Sequence, residues 1–145
     1  MKTAFIIIDV QNILVETGFE TQKLLEKISY LQDQARKQQI EIIYIQHIET
    51  EEALTSEDWK LSPLLKRQSD EKVFQKRYNS MFKETGLKEY LDQQGIEKLV
   101  LCGMQTEYCV DTSVKVAFEH GYKLVVPEGT VTTFDGDDIP AETIN

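Results

Sequence analysis

The 145-residue chain is poor in several things, and each absence closes off a class of protein. It has two cysteines, Cys102 and Cys109, too few for a disulfide scaffold, and no Cys/His spacing of a structural zinc site. Basic residues are outnumbered: 16 Lys and Arg against 25 Asp and Glu give a formal net charge of −9. Such a surface repels phosphate backbones and anionic lipids, so neither nucleic acid nor a membrane is an expected partner. No apolar run approaches the roughly 20 residues of a membrane-spanning helix. The apolar stretch Ala4 to Ile8 is too short for a signal peptide and ends in Asp9, so a cytoplasmic protein is expected. Repeats and low-complexity tracts are missing as well.

What remains is the composition of an ordinary globular protein, 41% hydrophobic and 28% charged, long enough for a single domain spanning residues 1–145. Apolar stretches read as buried strands at Thr3 to Ile8, Ile40 to Gln46, Lys72 to Gln75, Lys98 to Gly103 and Tyr122 to Val126. Between them lie helical stripes. Leu24, Leu25, Ile28, Leu31 and Ala35 mark one helix with Thr21 as its cap. Leu87, Tyr90 and Leu91 mark a second, capped by Thr85 and stopped at Gly95, and Val110, Val114, Ala117 and Phe118 a third, ending at Gly121. Strands apolar on both faces and separated by amphipathic helices predict an α/β fold: a doubly wound, Rossmann-like, mostly parallel sheet with helices on both faces. Residues from Thr132 to Asn145 show no helical stripe, so the closing helix of such a fold is expected to be short or absent.

In an open parallel sheet, ligands bind beyond the carboxyl ends of the strands. Those ends carry Asp9, Gln11 and Asn12 after the first strand, Gln46 and His47 after the second, Lys76 after the third, and Gly103 to Cys109 after the fourth. If Thr106 caps the following helix, Cys109 lies in its first turn, where unpaired N–H groups favour the thiolate. Taken alone, a free cysteine is more often a small packing residue, and Cys102, inside an apolar strand, reads as one. Asp9 alone could be a turn residue and Lys76 alone a solvated charge. His47 has no partner at metal-ligand spacing. The acidic turn Asp135 to Asp138 lacks the alternating ligands of a calcium loop. The long irregular stretch from His47 to Asp70, with Trp59 in it, is of a length that is more often functional than idle.

The combination is more specific than its parts. Asp9-Val10-Gln11-Asn12, Lys76 ahead of Tyr78-Asn79-Ser80-Met81-Phe82, and Gly103-Met104-Gln105-Thr106-Glu107-Tyr108-Cys109-Val110 occur in that order. Together they resemble the isochorismatase-like cysteine hydrolases, from Thr3 to Val126. The resemblance implies Cys109 as nucleophile, Asp9 as proton acceptor and donor, and Lys76 as the cation that pairs with Asp9. It also implies a cis peptide between Met104 and Gln105 that aims the Gln105 and Cys109 N–H groups at an oxyanion. The expected activity is cleavage of an amide-type C–N bond in a small molecule through a thioester. Gln11, His47 and Trp59 are candidate substrate contacts, and a homo-oligomer, dimer or tetramer, is expected.

Two branches of that family fit less well. The nicotinamidase branch holds a metal through an Asp-x-His pair and a second histidine; here the segment reads Tyr44-Ile45-Gln46-His47-Ile48-Glu49, and the other histidine is His120. No metal and no cofactor are therefore expected. Members that cleave the vinyl ether of isochorismate lack the cysteine. A non-catalytic binding or scaffold protein, and a redox sensor using Cys109, are the competing readings.

Overall fold

The computed structural model describes all 145 residues. Six strands form one sheet: β1 (Thr3–Ile8), β2 (Glu41–His47), β3 (Lys72–Lys76), β4 (Lys98–Met104), β5 (Lys123–Val125) and β6 (Val131–Thr132). The order is β3-β2-β1-β4-β5, with every pairing parallel. β6 lies beside the carboxyl end of β4, beyond β5 on the same edge, pairing Gly103 with Val131 and Met104 with Thr132.

The period of two within each strand divides the core into two layers. Ile6 and Ile8 of β1, Ile43 and Ile45 of β2, and Leu99 and Leu101 of β4 face α3 (Leu87–Gln93) and α4 (Asp111–Glu119), meeting Leu87, Leu91 and Ala117. Phe5, Ile7, Ile42, Tyr44 and Cys102 point the other way, onto Leu24, Leu25, Ile28 and Ala35 of α2 (Thr21–Lys37). Both faces of the sheet are thus covered, which is why β1 reads as an unbroken apolar run rather than an alternating one. Cys102 is fully buried in this second layer, and burial pushes its thiol up. It is a packing residue.

Three elements escape the sequence patterns. A six-residue helix, α1 (Asn12–Thr17), follows β1 directly; β6 has two residues; and a one-turn helix, α5 (Ala141–Ile144), closes the chain. The last is the closing helix, and it is short: the Asp135 carboxylate accepts a hydrogen bond from the Ala141 N–H, and buried Ala141 packs inward. Caps also differ in detail. Thr85 accepts from the Leu87 N–H as expected, whereas Thr21 is the first residue of α2 and donates its hydroxyl to the Val15 carbonyl. The stretch from His47 to Asp70 is built of short 3₁₀ turns at Glu51–Leu54, Glu57–Trp59 and Pro63–Leu65.

The chain runs outward from β1 through β2 to β3, then returns to place β4 on the other side of β1. β1 and β4 therefore flank the point where the winding reverses, the place at which ligands bind in open sheets of this kind.

Candidate active site

Two backbone features shape this rim of the sheet. β1 is followed by Asp9, whose φ of 53° turns the chain into the left-handed region, which Asp tolerates better than most residues. β4 passes so close to β1 that a Cβ on Gly103 would stand 1.9 Å from the Ile8 carbonyl oxygen. Glycine is the residue that permits this approach.

Onto this frame the structure brings three of the side chains singled out above. The Lys76 ammonium lies 3.0 Å from Asp9 Oδ2 and 3.1 Å from Cys109 Sγ. β3 is two strands away from β1, a gap of roughly 10 Å at normal strand spacing, and the four-carbon stem of lysine spans most of it. Lys76 is 1% exposed and Asp9 2%. Charges so deeply buried persist only when paired, and each is the other's partner. The ammonium also donates to the Tyr78 carbonyl at 2.9 Å and lies 3.0 Å from His47 Nδ1.

Burial raises the Asp9 carboxyl above its ordinary range, and the Lys76 charge beside it only partly offsets this. Its Oδ1 atom is buried with no hydrogen-bond partner. A basic oxygen with an open lone pair, next to a thiol, is equipped to receive a proton. The Cys109 thiol is pushed up to about 11, first by burial and then by the Asp9 charge, with Lys76 pulling the other way. Burial and the Asp9 charge thus oppose the thiolate that a helix start favours. Thr106 caps nothing, its hydroxyl meeting the Asn145 side chain, and Cys109 sits late in a wide π-type turn, Thr106–Val110, ahead of α4.

The Met104–Gln105 peptide is cis. The Gln105 N–H finds no acceptor within the protein, whereas the Gln105 carbonyl accepts from the Tyr108 and Val110 N–H groups. Asp9, His47 and Cys109 also offer ligand atoms within 4.8 Å of one another, a spacing that could hold a metal ion. Lys76 Nζ already stands about equally far from all three. A metal bound by this set would have to displace the ammonium, so the arrangement does not fit a resident ion.

The candidate substrate contacts separate. Gln11 is fully buried, and its amide is occupied by the backbone: Nε2 donates to the His47 and Trp59 carbonyls at 2.9 and 2.6 Å, and Oε1 accepts from the His47 N–H at 2.8 Å. It is a strap between β1, β2 and the loop, not a substrate contact. The Trp59 ring is tilted against His47, with centroids 6.0 Å apart, and both are half-buried. Sequence reasoning missed Asn79, whose Oδ1 is 3.8 Å from Cys109 Sγ, and buried Ser113, whose hydroxyl accepts from the Met81 N–H and donates to the Asn79 carbonyl. Ser113 thereby pins the segment after β3 against α4. Its only sequence signal is a polar residue on the apolar face of a helix.

A family model described as the isochorismatase domain matches residues 3–143. The chain belongs to the isochorismatase-like hydrolase family. It is similar to an isochorismatase family protein of Bacillus subtilis, 29% identical over all of this chain and 88% of that protein. It also resembles the streptothricin hydrolase of Streptomyces noursei, 28% identical over 95% of this chain but only 51% of that enzyme. Among solved structures, an isochorismatase from Pseudomonas putida superposes with a TM-score of 0.91, 30% identical, covering 98% of this chain and 78% of the other. No helix is long and apolar enough to cross a membrane.

Proposed function

We propose that this protein is a cysteine amidohydrolase, cleaving the C–N bond of a small carboxamide or ureido compound through a thioester on Cys109. The observation that carries the proposal is the buried contact of one ammonium with both a basic carboxylate and a thiol, Lys76 between Asp9 and Cys109. The similarity to a streptothricin hydrolase supports hydrolysis as the reaction class.

The chemistry follows from the geometry. Asp9 takes the Cys109 proton, breaking S–H and forming O–H on the carboxylate. The negative charge moves to sulfur, where Lys76 holds it. The thiolate attacks the carbonyl carbon, and the oxygen that becomes charged is met by the free Gln105 N–H, with the Cys109 N–H as the second donor that the family resemblance implies. Asp9 returns its proton to the departing nitrogen, which leaves as ammonia or an amine, and the acyl group remains on sulfur. Asp9 then deprotonates a water molecule that cleaves the thioester and regenerates the thiol. No step needs a metal or cofactor.

The test is ammonia release from a panel of small carboxamides and ureido compounds, comparing wild type with Cys109→Ala. The expected result is release by wild type and a loss on the order of 10⁴-fold or more in the variant, as for removal of other covalent nucleophiles. Release that persists in Cys109→Ala would refute the cysteine mechanism, and no release from any amide would favour the non-catalytic scaffold.

A further inference from the structure

The Lys76 ammonium is surrounded by more acceptors than it can serve. Four lie within hydrogen-bonding distance: the Tyr78 carbonyl at 2.9 Å, Asp9 Oδ2 at 3.0 Å, His47 Nδ1 at 3.0 Å and Cys109 Sγ at 3.1 Å. An ammonium has three protons. The Tyr78 carbonyl is a backbone acceptor and Asp9 carries a full charge, so these two hold the strongest claims. The third proton is contested between His47 and the sulfur.

We propose that His47 is a positioning residue, whose neutral imidazole accepts the third Lys76 proton at Nδ1 and so withholds it from Cys109 until the thiol has ionised. The inference rests on the reading of Cys109 as nucleophile and adds a control on when that nucleophile is charged. In the resting protein, Lys76 donates to Tyr78, Asp9 and His47, and the sulfur keeps its own proton. When that proton passes to Asp9, one S–H bond breaks and one O–H bond forms. The thiolate then outcompetes a neutral ring nitrogen for a cation's hydrogen bond. The Lys76 proton turns from Nδ1 to Sγ, and Nδ1 is left to accept from water or from a substrate N–H.

The site is built for this. The His47 main chain is held at both its N–H and its carbonyl by the Gln11 side chain, and Trp59 lies beside the ring. The charged groups facing the imidazole are Lys76 from β3, Asp9 from the end of β1 and Glu49 from its own segment; those facing Cys109 are Asp9 and Lys76. Burial and then the Lys76 charge lower the basicity of His47, against Asp9 and Glu49, which favours the neutral ring. With Nδ1 accepting, its proton resides on Nε2.

The experiment is the rate of Cys109 alkylation by iodoacetamide, without substrate, followed from neutral to alkaline pH. His47→Leu and His47→Ala remove the acceptor with side chains of different size, so a packing defect in one cannot decide the outcome. His47→Asn places an amide oxygen near the Nδ1 position. The first two should move the midpoint of the profile toward neutrality by about one pH unit, speeding alkylation at neutral pH about tenfold. His47→Asn should stay within about twofold of wild type, well under the tenfold of one pK unit. An unmoved midpoint in Leu and Ala, a uniform rate increase without a midpoint shift, or an Asn variant that behaves like Leu would each overturn the proposal. The readout involves no turnover. Its failure would leave ammonia release intact, whereas failure of the catalytic reading shows as release that survives Cys109→Ala.

Discussion

Replacing Lys76 with methionine is expected to destabilise the protein by about 3–5 kcal/mol, the usual cost of removing one partner from a buried ion pair. Methionine fills a similar volume, so the effect is electrostatic rather than a cavity. Asp9, 2% exposed, keeps its burial and loses the ammonium that faces its Oδ2. Its carboxyl then rises further and takes a proton, which removes the base. Turnover should vanish with it. Denaturant unfolding of the two single variants and of Asp9→Asn combined with Lys76→Met checks the cause: the double variant should recover much of the loss, because no unpaired charge remains. A Lys76→Met protein within 1 kcal/mol of wild type, roughly the worth of an exposed pair, would mean that the two charges do not depend on each other.

Asp9→Asn should affect the two properties of Cys109 in opposite directions. The Asp9 charge is one of the causes that hold the thiol up at about 11, so its removal lowers the thiol and speeds alkylation. The same change removes the proton acceptor and donor, so turnover should fall by about 10²- to 10⁴-fold, the usual contribution of general acid–base catalysis. The pH dependence fixes the sign. Asp9 must be ionised to accept the proton, and burial raises its carboxyl above the ordinary 3.8. Wild-type kcat/KM should therefore be lost as pH falls through that raised value, at a higher pH than an exposed aspartate would give. The residual activity of Asp9→Asn should lack this acid limb. A variant slower in both alkylation and turnover would point to a collapsed site rather than a missing base.

The central strands were readable because burial on both faces leaves nothing but apolar residues: β1, β2 and β4 are each at least six residues long and declare themselves. β6, with two residues, and α5, with four, are too short to show any period, and α1 is hidden because its Gln11 and Asn12 read as rim residues. Gln11 shows the limit for the site. A polar residue at a strand end looks like a ligand contact until its three hydrogen bonds to backbone are seen. Strand order alone placed Lys76 on the rim, but only the family resemblance paired it with Asp9, since nothing in a Lys-Arg pair signals a buried ammonium. The electrostatics of Cys109 were half legible for a related reason. Its place near a helix start favours a thiolate, but burial and the Asp9 charge oppose it, and both depend on parts of the chain far away in sequence. Competition for Lys76 is likewise invisible in order along the chain, because its four acceptors come from four separate segments.

The most direct measurement of the central claim is the intact mass of the protein, quenched in acid during turnover of an amide found to release ammonia. The thioester mechanism predicts a species heavier by the acyl group alone, located on the peptide that carries Cys109 and cleared by hydroxylamine. Turnover with no such adduct in wild type, together with ammonia release that survives Cys109→Ala, would contradict it.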